Sequence, residues 1–227
     1  MKKNTVKKII LPLLASVVCL FNSCIGISMD IQMNRDGSGK LTMEYRISNM
    51  LDSLGSFSGN ESLPTIPVGR QDWERTAERI PGMKLTSYSK RETAQDTIIS
   101  ANLDFSNPNA LVSFLTSSYT GGSSGENISI NHNGNTGSFD FIIFNQPDAE
   151  YDTNLISLFQ SVFNDYDLSI SFSAPGNSTM TITDGKGNTI PAPASAATVS
   201  SGRRVSMTMD VFNIINLPQG LGVKFNW

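Results

Sequence analysis

The sequence predicts an α+β protein: a curved antiparallel sheet of repeated strand–strand–helix units, with helices packed on one face. Three observations predict it. Runs that alternate apolar and polar residues recur along most of the chain beyond residue 24. A few stretches between them carry apolar residues at helical spacing instead. Turn-forming Gly, Asn and Asp residues separate the runs, and the order strand, strand, helix recurs.

The first segment is a leader rather than part of the fold. Lys2, Lys3, Lys7 and Lys8 form a basic start, Ile9 to Phe21 is apolar, and Asn22 and Ser23 are small and polar. The apolar stretch covers 13 positions, short of the roughly 20 residues a permanent membrane helix needs. Cys24 comes directly after it. The stretch Leu20-Phe21-Asn22-Ser23-Cys24 resembles a relaxed lipobox, with Phe21 where a strict one has Leu. Residues 1–23 are therefore expected to be a lipoprotein signal peptide and Cys24 the acylation site. An ordinary signal cut, which would leave Cys24 a free thiol, and a retained membrane anchor are the other two readings of the same segment.

Residues 24–227 are expected to form a single extracytoplasmic domain. Removing four of the 17 Lys and Arg residues with the leader leaves 13 against 20 Asp and Glu, a formal net charge of −7. An acidic chain with no basic cluster argues against nucleic-acid partners and against electrostatic docking to anionic headgroups. With Cys19 lost in the leader, Cys24 is the one remaining cysteine, so the core alone must hold the fold.

The domain opens with a hairpin. Ile27, Met29, Ile31 and Met33 share one face, the turn Asp36-Gly37-Ser38-Gly39 comes next, and Leu41, Met43, Tyr45 and Ile47 share the face of the second strand. Ser48 to Leu54 reads as a short helix, and Pro64 and Pro67 interrupt regular structure beyond it. From Arg70 a helix places Trp73, Ala77 and Ile80 on one side, and Pro81-Gly82 ends it. Met83–Lys90 and Thr97–Phe105 read as paired strands. Asn107-Pro108-Asn109 then opens a helix carrying Leu111, Val112, Phe114 and Leu115. Asn127–Asn131 and Ser138–Phe144 repeat the strand pair, and Gln146-Pro147 opens a helix with Leu155, Ile156, Leu158, Phe159, Val162 and Phe163. The last third reads as strand and loop: Leu168, Ile170 and Phe172 alternate, then Met180 and Ile182, then Val205, Met207, Met209 and Val211, with a short alternation at Val223–Trp227. The stretch Pro191-Ala192-Pro193-Ala194-Ser195-Ala196-Ala197 has low complexity, and a mobile loop is expected near residues 191–202.

A cysteine continued at once by a strand, the Asp-Gly-Ser-Gly turn at 36–39, a second strand running into a helix at 41–54 and the later strand–strand–helix order resemble the LppM-like domain family of bacterial lipoproteins. The resemblance covers most of residues 24–212. It implies an exported α+β domain and lipid binding in a cavity between sheet and helices. Members often carry a membrane helix after the domain, whereas this sequence runs to Trp227 without one, which makes Cys24 the expected sole anchor.

Catalysis is not expected. His132 is the single histidine and falls in Asn131-His132-Asn133-Gly134-Asn135, read as a solvated turn between strands, a poor place for a base that must face a nucleophile. One histidine and one remaining cysteine cannot hold zinc, and neither Asp184-Gly185-Lys186-Gly187-Asn188 nor the 36–39 turn has the spacing of a calcium loop. No cofactor is expected. Six of the nine methionines fall on apolar faces of strands, where β-branched residues are usual. Thioethers adapt to irregular surfaces, so an acyl-chain pocket between Met29, Met33, Met43, Met207 and Met209 on the sheet and Phe114, Leu115, Phe159 and Phe163 on the helices is one expectation. A filled core made of the same residues is the other. The sequence thus points to a lipid-anchored envelope lipoprotein at the cell membrane or outer membrane. Its domain either binds a lipid or other apolar ligand or acts as a structural or interaction element.

Overall fold

Strand β1 (Ile25–Met33) and strand β2 (Gly39–Ser48) pair antiparallel in unbroken register, Met29 opposite Met43 and Ile31 opposite Leu41, as their alternation demands. The computed structural model describes residues 25–49, 69–119, 128–144 and 166–227. The turn joining β1 to β2 passes through Gly37 at φ 81°, a backbone angle that a side chain would strain.

Strands β3 (Met83–Glu92), β4 (Asp96–Phe105), β7 (Asp167–Ser173), β9 (Ala197–Ser201) and β10 (Arg204–Asp210) complete a seven-stranded sheet in the order β3-β4-β2-β1-β7-β10-β9. Every pairing in it is antiparallel except β1 with β7, which is parallel. The registers line up apolar rows across the sheet. One runs Leu85, Leu103, Leu41, Ile31, Phe172, Val205, and the next Tyr88, Ala101, Met43, Met29, Ile170, Met207. One face is therefore almost wholly apolar and buried. The other carries the alternate residues, among them Ser28, Asp30, Thr42, Glu44, Arg46, Asn102, Ser169 and Thr208.

Two kinds of element cover the apolar face. Helix α1 (Arg70–Glu78) packs beside β3 and buries Trp73 and Ala77; the Trp73 ring lies 5.7 Å from that of Tyr45 and 6.1 Å from that of Phe114. Helix α2 (Pro108–Tyr119) starts where Asn107 Oδ1 accepts a hydrogen bond from the Ala110 amide at 3.0 Å. It buries Ala110, Leu111, Phe114 and Leu115. Farther along, a four-stranded antiparallel sheet takes over, formed by β5 (Ile128–Asn133), β6 (Thr136–Phe144), β8 (Thr179–Thr183) and β11 (Leu221–Asn226) in the order β5-β6-β11-β8. Phe139 and Phe225 of this sheet meet Phe172 of the large one at 5.8 and 5.2 Å between ring centres.

The α+β class agrees with the sequence, and the arrangement within it differs. The expected single antiparallel sheet is two sheets, neither closed on itself, and the large one contains a parallel pair. Alternation reports which face of a strand is buried but not which strand lies beside it. The strand–strand–helix repeat is not confirmed. β3-β4-α2 is such a unit, but β5 and β6 belong to the other sheet. The helices expected at 48–54 and 146–163 fall outside the described residues, apart from Ser48 and Asn49. The segment read as a loop near 191–202 contains β9, whose five side chains are all exposed and so show no alternation. A short helix, α3 (Val211–Ile215), capped by Asp210 accepting from the Asn213 amide at 3.0 Å, lies in the part read as strand and loop only.

Phe172 has no exposed surface and stands between the sheets. Phe172→Ala is expected to lower unfolding free energy by about 3–5 kcal/mol, measured by urea denaturation, whereas Val199→Ala on the exposed edge should stay within about 0.5 kcal/mol.

Candidate functional site

The residues expected to line a pocket are brought together, and they are packed. Met29, Met43, Met207, Phe114 and Leu115 are 0% exposed, Met209 1% and Met33 4%, all in one contiguous cluster with the rest of the apolar face. A void large enough for a water molecule would leave accessible surface on the side chains around it, so none borders the five at zero. Phe159 and Phe163 lie outside the described residues, as does Cys24.

An opening to solvent among the described residues lies on the opposite, polar face. Near the start of β1 a cleft of about 200 Å³ is lined by Gly26, Ser28, Glu44, Tyr166, Asp167 and Ser169, among others. Beside it Asp96 is buried, with its side chain 5% exposed, yet both oxygens are engaged. Arg46 Nε donates to Oδ2 at 2.7 Å and the Tyr166 hydroxyl to Oδ1 at 2.6 Å. The Arg46 guanidinium also stands 5.2 Å from the centre of the Tyr166 ring. Tyr166 enters from the start of β7 and must cross β1 and β2 to reach Asp96 on β4. Gly26 makes the crossing possible, because a Cβ there would already stand 3.4 Å from Tyr166 Cδ1, and the larger side chains usual in strands would block the ring. Sequence reasoning missed this cluster, because Arg46 and Tyr166 stand 50 and 70 residues from Asp96.

His132 departs from expectation. It sits within β5 rather than at a solvated tip, half-buried, with its ring 6.3 Å from that of Trp227. Gly37 of the first turn lies close by, so that a Cβ there would be 3.3 Å from His132 Nδ1 and 3.0 Å from Pro108 Cδ. The turn after β5 is two residues long and begins at Gly134, which leaves His132 on the ladder opposite Gly137. His132 is thus part of the junction between the first turn, α2 and the small sheet.

The two acidic turns satisfy their own carboxylates. Asp184 Oδ1 accepts from the amides of Lys186 and Asn188, both at 2.8 Å, and Oδ2 from Asn188 Nδ2 at 3.0 Å. Asp36 Oδ1 accepts from the Ser38 hydroxyl at 2.6 Å and the Ser38 amide at 3.0 Å. These bonds hold both carboxyls below the ordinary carboxylate range: the Asn188 side chain is the main cause for Asp184 and the Ser38 hydroxyl for Asp36. Among the described residues no three His, Cys, Asp or Glu side chains converge, and no helix is long and apolar enough to cross a membrane.

No protein family and no curated protein matches the chain. Among solved structures, the NMR structure of the folded domain of the Mycobacterium tuberculosis LppM protein is similar to it, with 11% identity, 90% of this chain and 89% of that one covered, and a TM-score of 0.44.

Tyr166→Phe deprives buried Asp96 of a donor and should cost about 1.5–3 kcal/mol in chemical denaturation. Because the Asp36 carboxyl titrates lower folded than unfolded, its contribution is present above the ordinary carboxylate value and fades as pH falls through the folded one. Ser38→Ala should raise the Asp36 titration midpoint toward that ordinary value, read from carboxyl chemical shifts by NMR.

Proposed function

We propose that the chain is a lipoprotein of the bacterial envelope, held at the cell membrane or outer membrane by acylation of Cys24. Its folded domain acts as a non-catalytic structural or protein-interaction element. The leader with its basic start, short apolar stretch and terminal cysteine supports the anchor. β1 begins one residue later and is already paired with β2 at Ile25. A lipid on Cys24 therefore leaves almost no tether between bilayer and sheet.

The observation that carries the choice of role is the closed core. A carrier of acyl chains needs space between sheet and helices, whereas Met29, Met43, Met207, Phe114 and Leu115 leave none against themselves. Admitting an apolar ligand there would mean separating side chains that now touch, at a cavity cost of several kcal/mol.

Two measurements test this. The wild-type chain should incorporate labelled palmitate and partition with membranes, and Cys24→Ser should lose both; retained label and membrane association in that variant would remove the anchor. Organic extraction of the detergent-solubilised lipoprotein should yield only the acyl chains bound through Cys24. A further lipid at one equivalent per chain, still held after detergent exchange, would overturn the closed-core reading in favour of lipid binding.

A further inference from the structure

We infer that β9 is a strand-addition site for an extended segment of a partner protein, which pairs antiparallel along its outer edge. The inference rests on the interaction reading above and supplies the surface through which it acts. All five residues of β9 are exposed, and Val199 at its centre, 62% exposed, is the one exposed large hydrophobic side chain among the described residues. β9 carries no charge, no proline and no bulge. The opposite edge of the same sheet is protected by charge and irregularity: β3 carries Lys84, Lys90, Arg91 and Glu92, and its register shifts between Leu85 and Ser87.

The edge is also held ready. Gly202 at φ 60° opens a two-residue turn between Ser201 and Arg204, so in the ladder with β10 the residues that direct their N–H and C=O groups outward are Thr198 and Ser200. That turn is fastened to the segment after β7: the Ser178 amide donates to the Gly202 carbonyl at 2.8 Å, and the Ser178 hydroxyl and the Ala174 amide donate to the Arg203 carbonyl at 2.9 and 3.1 Å. At the other end the Ala196 amide donates to the Pro193 carbonyl at 2.9 Å. An added strand therefore meets an ordered template and loses little to ordering it.

A second copy of the chain does not fit this edge. Five residues fall well short of the roughly 1,000 Å² of a stable interface between folded proteins. β9 also runs parallel to β1, through β7 and β10. Two copies joined antiparallel by β9 would thus point their Cys24 ends in opposite directions, out of reach of one bilayer. The fitting occupant is an extended, β-branched segment. Its N-terminal end lies beside exposed Arg203, so an acidic residue belongs there.

The test uses the ¹⁵N-labelled mature lipoprotein in detergent micelles and, as probe, the capped pentapeptide Glu-Thr-Val-Thr-Val. Saturable shift changes in the millimolar range, confined to β9 and its turn, with slowed hydrogen exchange at Thr198 and Ser200, are expected. A peptide led by Lys should bind about two- to fivefold more weakly, and Ser200→Pro should weaken binding at least about tenfold. Arg203→Glu, which leaves the ladder in place, should reverse the preference between the two peptides. Shifts that map elsewhere, no saturation up to about 10 mM, or an unchanged preference in Arg203→Glu would overturn the inference. Palmitate incorporation at Cys24 is read separately, so anchor and edge can fail independently.

Discussion

The stack of rings around Phe172 is the contact on which the rest of the molecule depends. Phe172 belongs to the large sheet, yet its aromatic neighbours among the described residues, Trp227 at 5.0 Å, Phe225 at 5.2 Å and Phe139 at 5.8 Å, belong to the end of the chain and to the small sheet. Neither sheet has a core of its own. Each presents one apolar face; α1 and α2 cover part of the large one, and the two sheets meet each other where these rings interleave. The small sheet is built around β11, its neighbours β6 and β8 on either side, so the rings of Phe225 and Trp227 are placed by the ladder that holds that sheet together. Burying a Phe side chain contributes about 1.5–3 kcal/mol, and three stacked phenyl rings with the tilted Trp227 ring beside them add geometric preference to that burial.

A second, smaller tie works on the opposite face of the large sheet. Asp96, Arg46 and Tyr166 join β4, β2 and the entry to β7 across β1, the strand between them. Asp96 is buried deeply enough that an unpaired charge there would be costly, and donors at 2.7 and 2.6 Å compensate it. The apolar stack and the polar tie thus fasten β7 from both sides. This matters because β7 is the strand that joins β1 and β2 to β10 and β9.

How much of this could be read from the sequence depended on range. Period-two alternation placed Met29, Met43, Ile170 and Met207 on buried strand faces, and their burial follows the pattern. Asn107-Pro108 marked the start of α2, and Arg70 that of α1, because capping and Pro preferences act within a few residues. Strand partnership was not legible: Ile27 pairs with Leu168, and nothing local to either names the other. β9 was missed because an edge strand exposed on both faces has no alternation to detect. His132 was placed at a tip because Asn133-Gly134 signals a turn, but the signal does not say that the turn is only two residues long. The abundance of methionine raised the idea of an adaptable pocket, yet the same side chains fill irregular gaps in a packed core equally well.

The parallel pairing of β1 with β7 has a consequence for how the protein comes into being. β1 can find β2 at once, across a short turn, but its other edge waits for a partner about 140 residues later in the chain. Contacts of that separation are slow to form, since a long loop must close before any of them is gained. For a chain threaded through a membrane from its N-terminus, the first hairpin would emerge with both edges unsatisfied, and the β1 edge would stay so longer, because β4 reaches β2 well before β7 reaches β1. Such an edge is open to mispairing with any strand that arrives first. The fold therefore places a kinetic risk at the first strand of the described residues, and it asks for either rapid delivery of the remaining chain or an escort that covers β1 until β7 appears.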